Sequence, residues 1–353
     1  MDLYFWGANS HFQSGTGIES EQFETPIKVD FAETDKIAQI CGGGGHTIIL
    51  TNDGRVFTVG WNNKGQCGVP KIEVVKNFTK ITDGIRLVRC GWDVSCLISS
   101  SNDVFMMGNN QHEQFGVKNP KMADQLLKVN FPEEVSDVSF GLRHTAVLTK
   151  SGKLWLFGKS KCVKVAEEMK NHQISTRKFN FNEISYLEMQ FFEAKISQIS
   201  SGQHFTLIYT ENHKFFLIGE NKHASMSNQE IQICPNPVQE ISSGWTHAAI
   251  LDKNGVLYTF GRNNYHQLGR KSLENCEIAP LGFSEKLKKV ICGSEHTISL
   301  TESGKIFTWG WNEHGNCGVN GTENVETPTQ VPLKGKCELI GAGCGFCFAL
   351  LRS

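Results

Sequence analysis

The chain alternates between short runs of apolar and β-branched residues and clusters of Gly, Asn, Asp and Ser. Runs such as His46-Thr-Ile-Ile-Leu-Thr51 and Arg55-Val-Phe-Thr-Val-Gly60 have the composition and length of strands. Asn52-Asp53-Gly54 joins them, and glycine there supplies the positive φ of a tight hairpin. The same turn chemistry returns at Ser151-Gly152, Asn254-Gly255 and Ser303-Gly304. Few polar residues alternate with the apolar ones, so these strands are expected to be buried on both faces, as in stacked sheets. Apolar spacing at i, i+3, i+4 is nowhere sustained.

The pattern repeats. A glycine closes a short strand at Gly7, Gly60, Gly108, Gly158, Gly219, Gly261 and Gly310. Two residues later stands Asn9, Asn62, Asn110, Asn221, Asn263 or Asn312, with Ser160 the exception. Eight residues after the first glycine comes Gly15, Gly68, Gly116, Gly269 or Gly318, replaced by Ala166 and Ser227 in two copies. A second series runs between these: Gly43, Gly91, Gly141, Gly202, Gly244, Gly293 and Gly343. Three residues on sits His46, His144, His247 or His296, with Val94, Phe205 and Phe346 in the remaining copies. The hairpin units 43–60, 91–108, 141–158, 202–219, 244–261 and 293–310 all share one spacing, whereas the connections between them vary. A constant unit is a rigid hairpin and a variable connection carries loops.

The segment 1–7 reads as the second half of a unit and 343–351 as the first half. Six units plus two complementary halves predict an all-β, seven-bladed propeller over 1–353, closed by pairing of its N- and C-terminal strands. Closure leaves only short, protected sheet edges. The connection 159–196 is the outlier. It carries Phe179, Phe181, Tyr186, Phe191 and Phe192 behind Lys161, Lys164, Lys170, Arg177 and Lys178, and is expected to hold the blade's outer strands and one long loop.

Charge narrows the partners. With 35 basic and 36 acidic side chains the net charge is −1, which provides no electrostatic footprint for nucleic acid or an anionic membrane. No apolar run is long enough to span a bilayer. The opening Met-Asp-Leu-Tyr-Phe-Trp-Gly has no basic stretch before an apolar one, and a cytoplasmic location, with the nucleus also open, is the expectation.

No nucleophile elbow, phosphate-binding loop or paired-carboxylate motif is present. The twelve cysteines include Cys90 and Cys292 at one repeat slot and Cys67 and Cys317 at another, as packed thiols in different blades would be. Cys344 and Cys347 form the one close pair; on a regular strand their side chains point to opposite faces, which opposes chelation. No metal or other cofactor is therefore expected. His46, His144, His247 and His296 share one structural position, which argues for packing and hydrogen bonding over catalysis. The residues filling the two variable slots before them, Trp92, Asp93, Arg143, Trp245 and Glu295 among them, should cluster on one face around the central channel. Tryptophan and arginine are favoured anchors of protein interfaces, so these five are the candidate partner-binding residues. The plain alternative is that Trp92 and Trp245 only cover the channel mouth.

The run Trp-Gly-x-Asn-x-x-x-Gln-x-Gly followed by Gly-x-x-His resembles the repeat of the regulator-of-chromosome-condensation family over the whole chain. Gly42-Gly-Gly-Gly-His46, Ser243-Gly-Trp-Thr-His247 and Trp309-Gly-Trp-Asn-Glu-His-Gly315 look like the family's guanine nucleotide exchange factors. The chain is also similar to the fungal α-tubulin suppressor propellers, which pair with a small zinc protein of diphthamide synthesis and serve tRNA-modification complexes. The first resemblance implies a protein partner, a small GTPase, and exchange by a β-wedge insertion for which only 159–196 is a candidate here. The second implies a non-catalytic adaptor. Either suits a monomer or a heterodimer.

Overall fold

The computed structural model describes residues 1–168, 174–181, 184–191, 193–220, 229–231, 236–273 and 276–352. The repeat residues Asn221 and Ser227 and the connection residues Lys170 and Phe192 lie outside them. The described chain forms seven antiparallel sheets arranged as the blades of a propeller. Blade 1 runs from the channel outward through Ile37–Gly42, His46–Thr51, Val56–Trp61 and Val74–Thr82. Blades 2, 4, 5 and 6 repeat this four-strand order, beginning at Ile85–Cys90, Ile196–Ser201, Val238–Ser243 and Leu287–Cys292. Blade 7 is assembled from both ends: Lys336–Ala342 and Phe346–Arg352, then Asp2–Ala8 and Gln22–Val29. Asp2 faces Leu351 and Gly7 faces Phe346 in that pairing, which closes the ring.

The second strand of each blade is sandwiched between neighbouring sheets. Every residue of His46–Thr51, Val94–Ser99, Phe205–Thr210, His247–Asp252 and His296–Thr301 is buried. The outermost strands instead mix exposed and buried positions, as in Val74–Thr82. The core is thus a series of apolar seams between adjacent sheets, one of which joins Phe5, Phe346 and Phe348 of blade 7 to Ile40 and Ile49 of blade 1. Burying one such side chain stabilises by about 1.5–3 kcal/mol. The hairpin glycines Gly54, Gly152, Gly255 and Gly304 have φ between +81° and +91°, and Asn102 and His213 take the left-handed conformation in the two copies without glycine.

Blade 3 departs from the pattern. After Val135–Phe140, Thr145–Thr149 and Leu154–Phe157 the chain turns into an α-helix, Lys161–Glu168, and then a hairpin, Ile174–Phe181 with Ile184–Phe191. The second of these strands pairs with Leu154–Phe157, so the hairpin becomes the blade's outer edge in a five-stranded sheet. The sequence led us to expect outer strands and a loop here; the helix is a correction. Its eight residues bury only Cys162, Val163 and Ala166, too short a stripe to register as periodicity.

Candidate functional site

The site rests on three devices that recur around the ring. The first explains Gly-x-x-His. The ring of His46 folds back over Gly43, where an added Cβ would sit 2.2 Å from the imidazole. Phe205 over Gly202 and Phe346 over Gly343 leave equally little room, so glycine is retained where the histidine is not. His46 Nε2 bonds Ser95 Oγ of blade 2 at 2.8 Å, and Ser95 Oγ donates to Gln66 O of blade 1. His247 Nε2 meets Thr297 Oγ1 at 3.0 Å, and Thr297 donates to Gln267 O in the same way. His144 reaches Thr206 and His296 reaches Cys347. Burial pushes the histidines down, to about 3 for His46, His144 and His247 and about 4 for His296, so all four are neutral stitches between blades at physiological pH.

The second device is the repeat asparagine. Asn62 Nδ2 donates to Val69 O and Ile72 O at 2.6 Å, while its Oδ1 accepts from Cys67 N at 2.8 Å. Asn9, Asn110, Asn263 and Asn312 pin their own loops with the same three bonds, always accepting from the amide five residues on, though the two carbonyls they reach shift with loop length. The third is a chain of backbone hydrogen bonds around the channel mouth. It runs from Leu142 N to Gln203 O, Gln203 N to Trp245 O, Trp245 N to Ser294 O, Ser294 N to Cys344 O and Cys344 N to Gly43 O. Gly44 N bonds Trp92 O in continuation. These bonds hold the variable turns at fixed height on one face.

Trp92 and Trp245, from blades 2 and 5, meet across the mouth with ring centroids 5.2 Å apart. They form one side of a basin of about 420 Å³. Its other sides are Trp61, Trp311 and Tyr265, with His11 stacked on Trp61 at 4.6 Å and the Arg262 guanidinium over Tyr265 at 4.9 Å. Glu295 lies at the basin, 7% exposed. Its carboxylate accepts from Thr246 Oγ1 at 2.9 and 2.8 Å and from Gln267 Nε2 at 2.5 Å. Burial, the main cause, raises its pKa.

Of the five residues read from the sequence, the fold brings Trp92, Trp245 and Glu295 together. Asp93 is half-buried and accepts from Asn109 Nδ2 at 2.7 Å. Arg143 is exposed on blade 3, away from the basin lining. The sequence reading missed Trp61, Trp311, Tyr265 and Arg262. Trp61, Arg262 and Trp311 fill the single free slot between the strand-closing glycine and the repeat asparagine, a signal that was available and unused.

Behind the mouth, the channel holds about 500 Å³ and is lined by the inner strands. Arg89 Nε pairs with Asp137 at 2.9 Å and Lys289 with Glu240 at 3.4 Å inside it. The cysteine slots are packing and stitching positions. Cys90 N donates to Cys41 Sγ at 3.1 Å across a blade boundary, and Cys292 N donates to Ser242 Oγ at 2.9 Å across another. Burial pushes Cys67 up to about 12. Cys344 sits in the turn before Phe346–Arg352 and not on that strand, so the opposite-faces argument does not govern the Cys344–Cys347 pair. Among the described residues no group of three His, Cys, Asp or Glu is close enough to hold a metal ion, and no helix is long and apolar enough to cross a membrane.

A β-propeller with Gly-x-x-His stitches, asparagine-pinned loops and a strand-exchanged closing blade defines a specific repeat class. The model of the RCC1-like domain family matches residues 2–351, and the chain belongs to that family. Secretion-regulating guanine nucleotide exchange factor of Bos taurus is 34% identical over 166 residues, covering 44% of this chain and 35% of that protein. The Mus musculus counterpart is 35% identical over 163 residues, again 44% and 35% of the two chains. The matched stretch thus spans about a third of the length of these relatives. Among solved structures, human WBSCR16 superposes with a TM-score of 0.83 at 18% identity over 100% of both chains. Prp20p from Saccharomyces cerevisiae, described with its binding to Gsp1p and histones, gives 0.83 at 19% identity over 100% of this chain and 92% of its own. At such identities these two establish the fold.

Proposed function

We propose that the protein is a binding platform for a protein partner and acts as a guanine nucleotide exchange factor-like regulator of a small GTPase, in the cytoplasm or nucleus. The partner docks on the face carrying the Gly-x-x-His turns. One observation carries this reading: the rigid blades hold four half-buried tryptophans around one open basin on that face. Rigid aromatic side chains on a fixed scaffold are what a protein anchor needs. The family and its exchange-factor relatives supply the GTPase. Exchange needs no nucleophile; it needs tighter binding to the nucleotide-free GTPase than to the loaded one. An acceleration of about 10⁴ asks for about 5.5 kcal/mol of that difference.

A second reading, a non-catalytic adaptor for a small partner protein of the tRNA-modification or diphthamide type, is favoured by the blade 3 hairpin. Ile174–Phe181 and Ile184–Phe191 are bonded into the sheet as its edge, and so the candidate wedge extends the blade. Affinity capture with magnesium and GTP, repeated in EDTA, separates the two. A GTPase held only in EDTA, and released faster from its nucleotide by the pure protein, is the outcome expected for exchange. A partner held equally in both conditions overturns exchange in favour of the adaptor.

A further inference from the structure

The basin contains a buried carboxylate that, among the described residues, no lysine or arginine pairs with directly. Among the described residues, the basic side chain within 4.0 Å of Glu295 is His247, whose Nδ1 stands at that limit. His247 is fully buried and neutral, so it provides no counter-charge. Arg262, also in the basin wall, favours the carboxylate only through space, since its guanidinium lies on the Tyr265 ring and its Nε donates to Asn264 Oδ1 at 3.2 Å. Buried carboxylates are ordinarily paired, because desolvating an isolated charge costs several kcal/mol. Here the carboxylate opens onto a cavity walled by indoles, whose ring faces carry negative electrostatic potential. Glu313 adds a second, exposed carboxylate at the rim, held by Trp311 Nε1 at 3.2 Å. An anionic ligand would face both carboxylates, and an apolar one would leave Glu295 with only the through-space charge of Arg262.

We infer that this basin is a receptor for one cationic side chain, a guanidinium or ammonium presented by a segment of a protein partner, with Glu295 as counter-charge and Trp61, Trp92, Trp245 and Trp311 as the aromatic wall. The inference rests on the docking face proposed above. The hydroxyl of Thr246 and the amide of Gln267 hold the carboxylate in place, so an incoming cation meets a preorganised acceptor. The volume is that of a pocket for a long side chain with its flanking backbone.

The test is a titration of the full chain with capped peptides of sequence Gly-Gly-X-Gly-Gly, read by tryptophan fluorescence at physiological salt. X is arginine, lysine or citrulline, the last being the neutral isostere of arginine. Saturable change with arginine or lysine, at least tenfold weaker with citrulline, is expected. Glu295→Gln should weaken the cationic peptide at least tenfold and leave citrulline unchanged. Trp311→Ala, at a half-buried rim position, should weaken it too, with circular dichroism confirming the fold of both variants. Equal response to arginine and citrulline, no saturable response, or an unchanged Glu295→Gln variant overturns the inference. Its failure is separable from that of the docking face. If peptides do not bind but Trp92→Ala with Trp245→Ala abolishes partner capture, the face stands and the cation site falls. If the peptides bind and capture survives both substitutions, the reverse holds.

Discussion

Blades 1 and 3 begin alike and end differently. Both have a hairpin whose second strand is buried throughout, and both stitch to the next blade through a histidine. They part at the residue two after the strand-closing glycine. Asn62 ties down three backbone groups, and the chain returns at once to form the fourth strand. Ser160 in the same place has only a hydroxyl; it accepts from Val163 N at 3.3 Å and starts a helix. Without the amide the short loop is not enforced, and the chain runs through a helix and a hairpin before the blade is complete. The short loop thus coincides with the three-bond asparagine, and the insertion with a serine that makes one such bond. What the two blades share lies in their inner strands; in blade 3 the added hairpin joins the packing, with Tyr186 against Trp155 at a centroid distance of 4.9 Å.

The sharpest way to break this comparison is Asn62→Ala. It leaves two carbonyls and one amide without their partner, and it should cost about 3 kcal/mol at about 1 kcal/mol per bond, read as a shift in the urea midpoint. Ser160→Ala, by contrast, loses one helix-starting bond and should cost about 1 kcal/mol in the same assay. Equal losses would mean that the asparagine does not set the loop.

Gly43→Ala tests the histidine seat. Its Cβ would overlap the His46 ring, and a destabilisation of about 2 kcal/mol is expected. Combined with His46→Ala the overlap with the ring disappears and only the 2.5 Å approach to Gly91 O remains, so the double variant should be more stable than the sum of the two single losses predicts. Strict additivity would show that the glycine serves some other purpose.

Histidine-bearing and phenylalanine-bearing blades should also differ in acid. The buried histidines have folded-state values near 3 to 4, below the unfolded 6.5, so the unfolded chain binds more protons between them. Their stability is complete above pH 6.5 and is lost as pH falls, by up to about 1.4 kcal/mol per pH unit for each histidine. His46→Phe, copying Phe205 and Phe346, should make the pH dependence of unfolding shallower by up to that amount. An unchanged slope would mean that His46 titrates normally in the folded protein.

The smallest expected effect on stability is at the basin. Trp92→Ala and Trp245→Ala remove half-buried rings whose mutual contact contributes about 1 kcal/mol. Partner capture should drop sharply while the unfolding midpoint barely moves. A large stability loss with capture unchanged would make these rings channel plugs.

Glycine spacing, hairpin turns and the two complementary ends were enough to determine seven blades and their closure, because a strand-closing glycine at φ between +102° and +108° and an imidazole packed on glycine are local demands that no distant residue can relieve. The asparagine and histidine slots were legible for the same reason, as was the shared face of Trp92, Trp245 and Glu295. What the slots do was not legible. That His46 bonds Ser95 and not a ligand depends on which blade lies beside it. That Arg143 stays outside while Trp61, Trp311 and Arg262 line the basin depends on how turns of different blades converge at the channel mouth. Those are distances between residues far apart in the chain. Local preference carries no record of them, and the ring's closure alone brings blades 5, 6, 7, 1 and 2 around the same carboxylate.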